Sequence, residues 1–191
     1  MCLIITSRTG FGELSDRFIT EVWLANRDGF GLMHARDGRL HAWRGLPTLD
    51  GILASIRRIP IGVPAAIHFR KATRGRVSEG NAHPHWVVTG RIALMHNGTL
   101  GDVPAPAEGE SDTVAFISAV LRPLLSSDPG LLEQPEFVRW LAHRVGPANR
   151  LVLLSASGRM VRVNGGQGTD RGALWFSRDP ARAIAPAAGT A

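Results

Sequence analysis

Asn81-Ala82-His83-Pro84-His85-Trp86-Val87-Val88-Thr89-Gly90-Arg91-Ile92-Ala93-Leu94-Met95-His96-Asn97-Gly98-Thr99 is the most telling stretch of this 191-residue chain. Trp86 to Thr89 and Arg91 to Met95 are apolar or β-branched runs that read as strands across Gly90. A compact polar group stands on each side, His83-Pro84-His85 before and His96-Asn97-Gly98 after. Asn-Gly after a strand is by default a hairpin turn. It can also be an oxyanion hole, with the Asn97 side-chain N–H and the Gly98 backbone N–H facing a developing negative oxygen. Glycine lets the backbone come close to a substrate there. His83 and His85 invite a metal, but no cysteine or carboxylate sits at ligand spacing, so no metal is expected.

Working outward, Cys2 to Thr6 reads as a buried strand and Leu14 to Leu24 as a short helix. Asn26-Arg27-Asp28-Gly29 is a turn signal. Phe30 to His34 and Arg39 to Trp43 form a hairpin around Asp37-Gly38, a type I′ pair. Pro47 to Ile59 has helical spacing, capped by Thr48. Pro64 to Phe69 is an apolar strand that runs into the polar stretch Arg70 to His85. Ser111 to Leu125 is a helix capped by Ser111, and Gln134 to Val145 is a second helix. Leu151 to Ser155 and Met160 to Val163 make a hairpin around Ser157-Gly158, and Ala173 to Phe176 is a last short strand. Two hairpin-rich strand groups with helices between them predict a largely antiparallel α+β domain.

Composition narrows the function classes. The length suits one domain, and 44% hydrophobic with 20% charged residues predicts a folded core. No apolar run approaches a membrane span, and the apolar Cys2-Leu3-Ile4-Ile5 is too short for a signal peptide, so a cytoplasmic protein is expected. The single cysteine excludes an internal disulfide and a cysteine-cluster zinc site. The net charge of +6 raises nucleic acid as a partner. The basic residues are scattered arginines, however, with Lys71 the only lysine, so nucleic-acid binding is disfavoured.

Cys2 stands directly after Met1. Once methionine is removed, one residue carries both a thiol and a free α-amine, a nucleophile and a base with reference pKa values of about 8.5 and about 8. A buried small hydrophobe is the ordinary alternative for a lone cysteine. Arg70, at a strand end in Ile67-His68-Phe69-Arg70-Lys71-Ala72-Thr73-Arg74-Gly75, can grip a carboxylate bidentately or form a surface salt bridge. In Glu110-Ser111-Asp112-Thr113, Asp112 is either a helix-start acid or the counter-ion of a ligand ammonium.

Taken in order, Met1-Cys2, Asn26-Arg27-Asp28-Gly29-Phe30-Gly31, the 68–75 segment, Asn81-Ala82-His83-Pro84, His96-Asn97-Gly98 and Ser111-Asp112-Thr113 resemble the glutaminase domain of class II glutamine amidotransferases, which are N-terminal nucleophile hydrolases. The resemblance runs from Cys2 to about Phe176. It implies a four-layer αββα sandwich of two antiparallel sheets over residues 2–178; the Ala/Pro/Gly-rich composition of 179–191 predicts a flexible tail. It implies Cys2 as nucleophile with its α-amine as base, and Asn97 and Gly98 as the oxyanion hole. Arg70 would hold the substrate α-carboxylate, Thr73 would line the same pocket, and Asp112 would hold the α-ammonium. The reaction would pass through a γ-glutamyl thioester, release ammonia and then glutamate, and need no cofactor.

The chain departs from the family pattern at Lys71, where tryptophan is common, and at Arg74, where histidine is common. It also ends where a synthetase domain would begin. Three functions are therefore expected to compete: a glutaminase subunit feeding ammonia to a separate synthetase, a stand-alone amidohydrolase on a γ-glutamyl or other amide, and a non-catalytic basic binding domain. Cys2, Arg70, Asn97-Gly98 and Asp112 together argue against the third, since binding alone would not need them all.

Overall fold

The computed structural model describes residues 2–101 and 103–184. The strands are β1 (Leu3–Ser7), β2 (Phe30–Arg36), β3 (Arg39–Gly45), β4 (Ala65–Phe69), β5 (His85–Val88), β6 (Ile92–Asn97), β7 (Arg150–Ser155), β8 (Met160–Val163), β9 (Thr169–Arg171) and β10 (Leu174–Phe176). The helices are α1 (Asp16–Ala25), α2 (Leu49–Arg57), α3 (Asp112–Phe116), α4 (Arg122–Ser127), α5 (Pro135–Val145) and α6 (Pro180–Ile184). The strands form two antiparallel sheets, one in the order β3-β2-β4-β1-β10-β9 and the other β5-β6-β7-β8.

The two-residue period of a strand builds the layers. On β1, Leu3 and Ile5 point to α1 and α2 and join Ile19, Val22, Ile52 and Ile56 in one core. Ile4 points the other way and meets Met33, Met95, Val152 and Trp175 between the sheets. On β6, Leu94 turns to the remaining helices with Phe116, Leu121 and Leu141, while Ala93 and Met95 face the first sheet. The result is helix, sheet, sheet, helix: the α+β four-layer sandwich. Ile4 is fully buried between the sheets, so truncating it to alanine costs about 2–5 kcal/mol.

Local chemistry accounts for the boundaries. Thr48 and Ser111 accept hydrogen bonds from Gly51 N and Val114 N and so start α2 and α3. The β2–β3 turn has positive φ at both Asp37 and Gly38, as a type I′ hairpin requires. The helix expected over 111–125 runs on to 127, but with a π turn at Ile117–Leu121. Pro123 cannot donate to residue 119, and the wide turn just before it absorbs that misfit. Two elements were not legible. β9 is a polar edge strand without apolar alternation. α6 falls inside the segment expected to be a flexible tail, yet Ala183 is buried and its carbonyl accepts from Asn26 Nδ2, which ties α6 to the end of α1. The rest of that segment, 185–191, lies outside the described residues. No helix among the described residues is long and apolar enough to cross a membrane.

Candidate active site

The pleat that places Ile4 between the sheets places Cys2 there too, at the open end of β1. On the neighbouring β4 it directs His68 inward and carries Arg70 to the same end, just past the last strand residue. On β6 it directs Asn97 toward the first sheet and His96 toward α3. Strand ends from both sheets thus converge on one small cavity, closed off by the loop after Arg70 and by the start of α3. Cys2, Arg70, Thr73, Gly98 and Asp112 all line it, with His83, His96 and Thr113.

The Cys2 thiol lies 3.3 Å from both the N and the O of Lys71, donating to one and accepting from the other. Burial pushes the thiol up from its ordinary pKa; the Lys71 N–H and the nearby charges of Arg70 and Arg178 pull it part of the way back. A neutral thiol at rest needs a base at the moment of attack. Arg178, on the segment after β10, is a neighbour of the thiol that sequence reasoning missed.

The Arg70 guanidinium is tied to three backbone carbonyls. Nη1 donates to Asp28 O and Arg76 O, and Nη2 to Arg74 O. This leaves Nε and one Nη2 hydrogen uncommitted among the described residues, which is a bidentate pair for a carboxylate. The Asn26–Gly29 turn is locked to it from the other side: Asp28 N donates to Arg70 O, Arg70 N to Gly29 O, and Ala72 N to Asp28 Oδ2. The surface salt bridge that sequence allowed is not formed; Arg70 is buried and has no carboxylate partner among the described residues.

Asp112 is buried at the first turn of α3. Its Oδ2 accepts from Leu100 N at 2.6 Å and its Oδ1 from Thr113 N at 2.9 Å, so both oxygens stay acceptors and the carboxylate is fixed in place. Thr73 Oγ1 lies 3.4 Å from Thr99 Oγ1, a contact across the mouth of the cavity. Asn97 stands beside the cavity rather than on its lining. One N–H of its Nδ2 donates to Ser177 Oγ at 2.9 Å, and Ser177 Oγ also accepts from Ile4 N. The fully buried Ser177 therefore couples β1 to Asn97, a role with no visible sequence signal.

Gly98 is not in a simple hairpin turn, because β6 pairs β5 and β7 and the chain leaves for α3. Its φ is +147°, and a Cβ there would lie 2.2 Å from Asn149 Oδ1. Asn149 Oδ1 accepts from His96 Nε2 at 2.8 Å, and His96 Nδ1 meets Thr113 Oγ1 at 2.8 Å. Gly31 serves a different closeness: a Cβ on it would strike the carbonyl oxygen of His83, so glycine lets the 81–84 loop lie on β2.

Four histidines are buried at the cavity: His83 and His96 on its lining, His68 and His85 behind them. Ring centroids are 4.4 Å apart for His68 and His83 and 4.7 Å for His83 and His85. Burial depresses all four, His68 to about 3. No group of three or more His, Cys, Asp or Glu among the described residues is arranged to hold a metal ion.

No protein-family model matches the chain. Its curated relatives include glutamine–fructose-6-phosphate aminotransferase (isomerizing) from Bartonella quintana, 30% identical over 138 residues, or 66% of this chain and 22% of that protein. The enzyme of the same name from Mycobacterium leprae is 38% identical over 77 residues, 38% of this chain and 12% of that one. The chain thus spans about a fifth or less of the length of such relatives. Among solved structures, the glutamine phosphoribosylpyrophosphate amidotransferase from B. subtilis, complexed with ADP and GMP, superposes with a TM-score of 0.51 at 15% identity. That match covers 92% of this chain and 41% of the other, and shows a shared fold.

Proposed function

Because this chain belongs to the class II glutamine amidotransferase family of N-terminal nucleophile hydrolases, we propose that it hydrolyses the side-chain amide of glutamine on Cys2. The observation that carries the reading is the convergence of Cys2, Arg70, Gly98 and Asp112 on one cavity, from segments far apart in sequence.

In this reading the mature chain starts at Cys2. Its α-amine takes the thiol proton as Sγ attacks the amide carbon. The amide oxygen becomes negative and is met by the Gly98 N–H and by the second N–H of Asn97 Nδ2, the first being held by Ser177. Collapse breaks the C–N bond, the amine returns its proton to the leaving nitrogen, and ammonia departs from a γ-glutamyl thioester. Water then attacks the thioester and regenerates the thiol with release of glutamate. Arg70 holds the α-carboxylate through Nε and Nη2, and Asp112 the α-ammonium. Thr73 lines the pocket. No step calls for a cofactor.

The space in the cavity is about 20 Å3, room for one water molecule. Glutamine is therefore admitted by outward movement of the exposed segment 71–75, which parts Thr73 from Thr99. Ammonia made there would pass to a separate acceptor enzyme; a stand-alone amidohydrolase is the second reading, favoured by Lys71 and Arg74 beside the pocket. Ammonia release from glutamine by the purified chain, and its loss in Cys2→Ala, tests the proposal. Glutamine left intact by a folded wild type, alone and with its synthetase partner, would reject it.

A further inference from the structure

A second cavity, of about 560 Å3, lies against the other side of the wall formed by Asn81 and the 109–111 segment. Asn81 Nδ2 donates to Arg76 O and Gly109 O, and its Oδ1 accepts from Ser111 N, which keeps that wall closed. Arg44, Arg122, His85 and Trp86 line the opposite side.

β5 is an edge strand, and its free carbonyls need donors. Arg44 Nη1 donates to Pro84 O at 3.1 Å and lies 2.5 Å from His85 Nδ1. Arg122 donates from Nη2 to Trp86 O, from Nε to Val87 O and from Nη1 to Ser118 Oγ. Capping this edge uses only part of each guanidinium. Arg44 keeps Nε and Nη2, Arg122 keeps one hydrogen on each Nη, and neither has a carboxylate partner among the described residues. Since Arg44 can only donate, His85 Nδ1 is the acceptor and Nε2 carries the ring proton. Nε2 is buried away from solvent. The hydrogens that Arg44 and Arg122 leave uncommitted among the described residues are what this side of the cavity offers, and all are donors.

The other charges leave a cationic surplus. Arg76 is paired with Glu108 at 2.9 Å, and Glu110 is the one remaining carboxylate on the lining, against Arg44 and Arg122. Burial lowers the pKa of Arg44, a partly buried cation with no carboxylate partner among the described residues.

We propose that this cavity binds the oxyanion group, phosphate or carboxylate, of a small organic ligand on Arg44 and Arg122, with the half-buried Trp86 ring against its apolar part. The site is distinct from the Cys2 cavity and its occupancy requires no turnover.

The test is thermal unfolding of the full chain titrated with inorganic phosphate or with malonate at fixed ionic strength. A saturable rise in Tm is expected, and the arm that gives it tells phosphate from carboxylate. Arg122→Gln, at an exposed position, should weaken the apparent affinity about ten-fold or more, the loss of a charge-assisted hydrogen bond. Arg44→Gln should do the same and gives a second readout. The proposal is overturned by no saturable rise in either arm or by undiminished binding in both variants, which would put the anion elsewhere.

Discussion

Asn149 Oδ1 occupies the space that a Cβ on Gly98 would need, 2.2 Å from its position. The same oxygen accepts from His96 Nε2, while Asn149 Nδ2 donates to Val145 O at 2.6 Å. The Gly98 backbone is thus pressed against a side chain that is itself fixed at both ends. If Gly98 N–H is an oxyanion donor, Asn149 sets its aim. Asn149→Ala should lower kcat about ten-fold or more with little change in KM, because the donor matters most in the transition state. Asn149→Asp keeps the acceptor for His96 and should recover part of that loss. Steady-state ammonia release from glutamine measures both. A fall in Tm with unchanged kcat would make Asn149 a packing residue only. Gly98→Ala must displace Asn149 and hold φ near +147° with a side chain, so it should cost more activity than either.

The two proposed substrate anchors differ in what a substitution does to the protein itself. Arg70→Lys keeps a charge but loses the fork, and also the bonds to Asp28 O, Arg74 O and Arg76 O. It should raise KM for glutamine and lower Tm together. Asp112→Asn turns an amide N–H toward a backbone N–H, because both carboxylate oxygens already accept. Glutamine should therefore be compared with an amide that lacks the α-amine, on both proteins. A preference for the α-amine worth about 2–5 kcal/mol in wild type, lost in Asp112→Asn, assigns the ammonium to Asp112. Equal use of both amides by wild type leaves Asp112 a fixed helix-start acid and moves the stand-alone amidohydrolase forward.

The sandwich was legible because the chain alternates where it is half-buried and runs apolar where both faces are covered. Arg70 just past β4 and Gly98 just past β6 could be placed at strand ends from the sequence, and both line the Cys2 cavity. What stayed hidden is what joins distant segments. Ser177 follows Phe176 as an ordinary serine, yet it ties Ile4 N to Asn97. Asn149 looks like a loop residue before β7 and lies under Gly98. The bland readings of Arg70 as a surface pair and of Asn97-Gly98 as a hairpin turn failed for the same reason: both depend on which strands are neighbours, and local pattern does not say.

The proposed nucleophile makes a mass prediction. If the α-amine of Cys2 is the base, intact mass of active protein should lack Met1. Cys2→Ser, a far weaker nucleophile at neutral pH, should lose orders of magnitude in kcat while glutamate still binds. Full activity in protein that retains Met1 would leave the mechanism without its base.

The buried histidines predict how the fold responds to acid. His68 is held neutral, its pKa lowered to about 3 by burial, and His83, His85 and His96 are lowered by the same cause. In the unfolded chain each returns to about 6.5. Below that value the unfolded state binds protons that the folded state refuses, so stability falls as pH falls. For His68 the loss continues until pH reaches about 3, where the folded state also takes its proton. Each such histidine contributes a slope of up to about 1.4 kcal/mol per pH unit once well below 6.5. Urea unfolding between pH 7 and pH 5 should show a steep fall in stability with uptake of more than one proton. His85 shares its Nδ1 with Arg44 and His96 its Nε2 with Asn149, but neither ring nitrogen of His83 has a hydrogen-bond partner among the described residues. Replacing His83 with an uncharged residue should therefore flatten the slope with the least loss of bonding, although it lines the Cys2 cavity. A wild type whose stability is level from pH 7 to pH 5 would show that these rings are protonated as readily in the folded protein as in the unfolded chain.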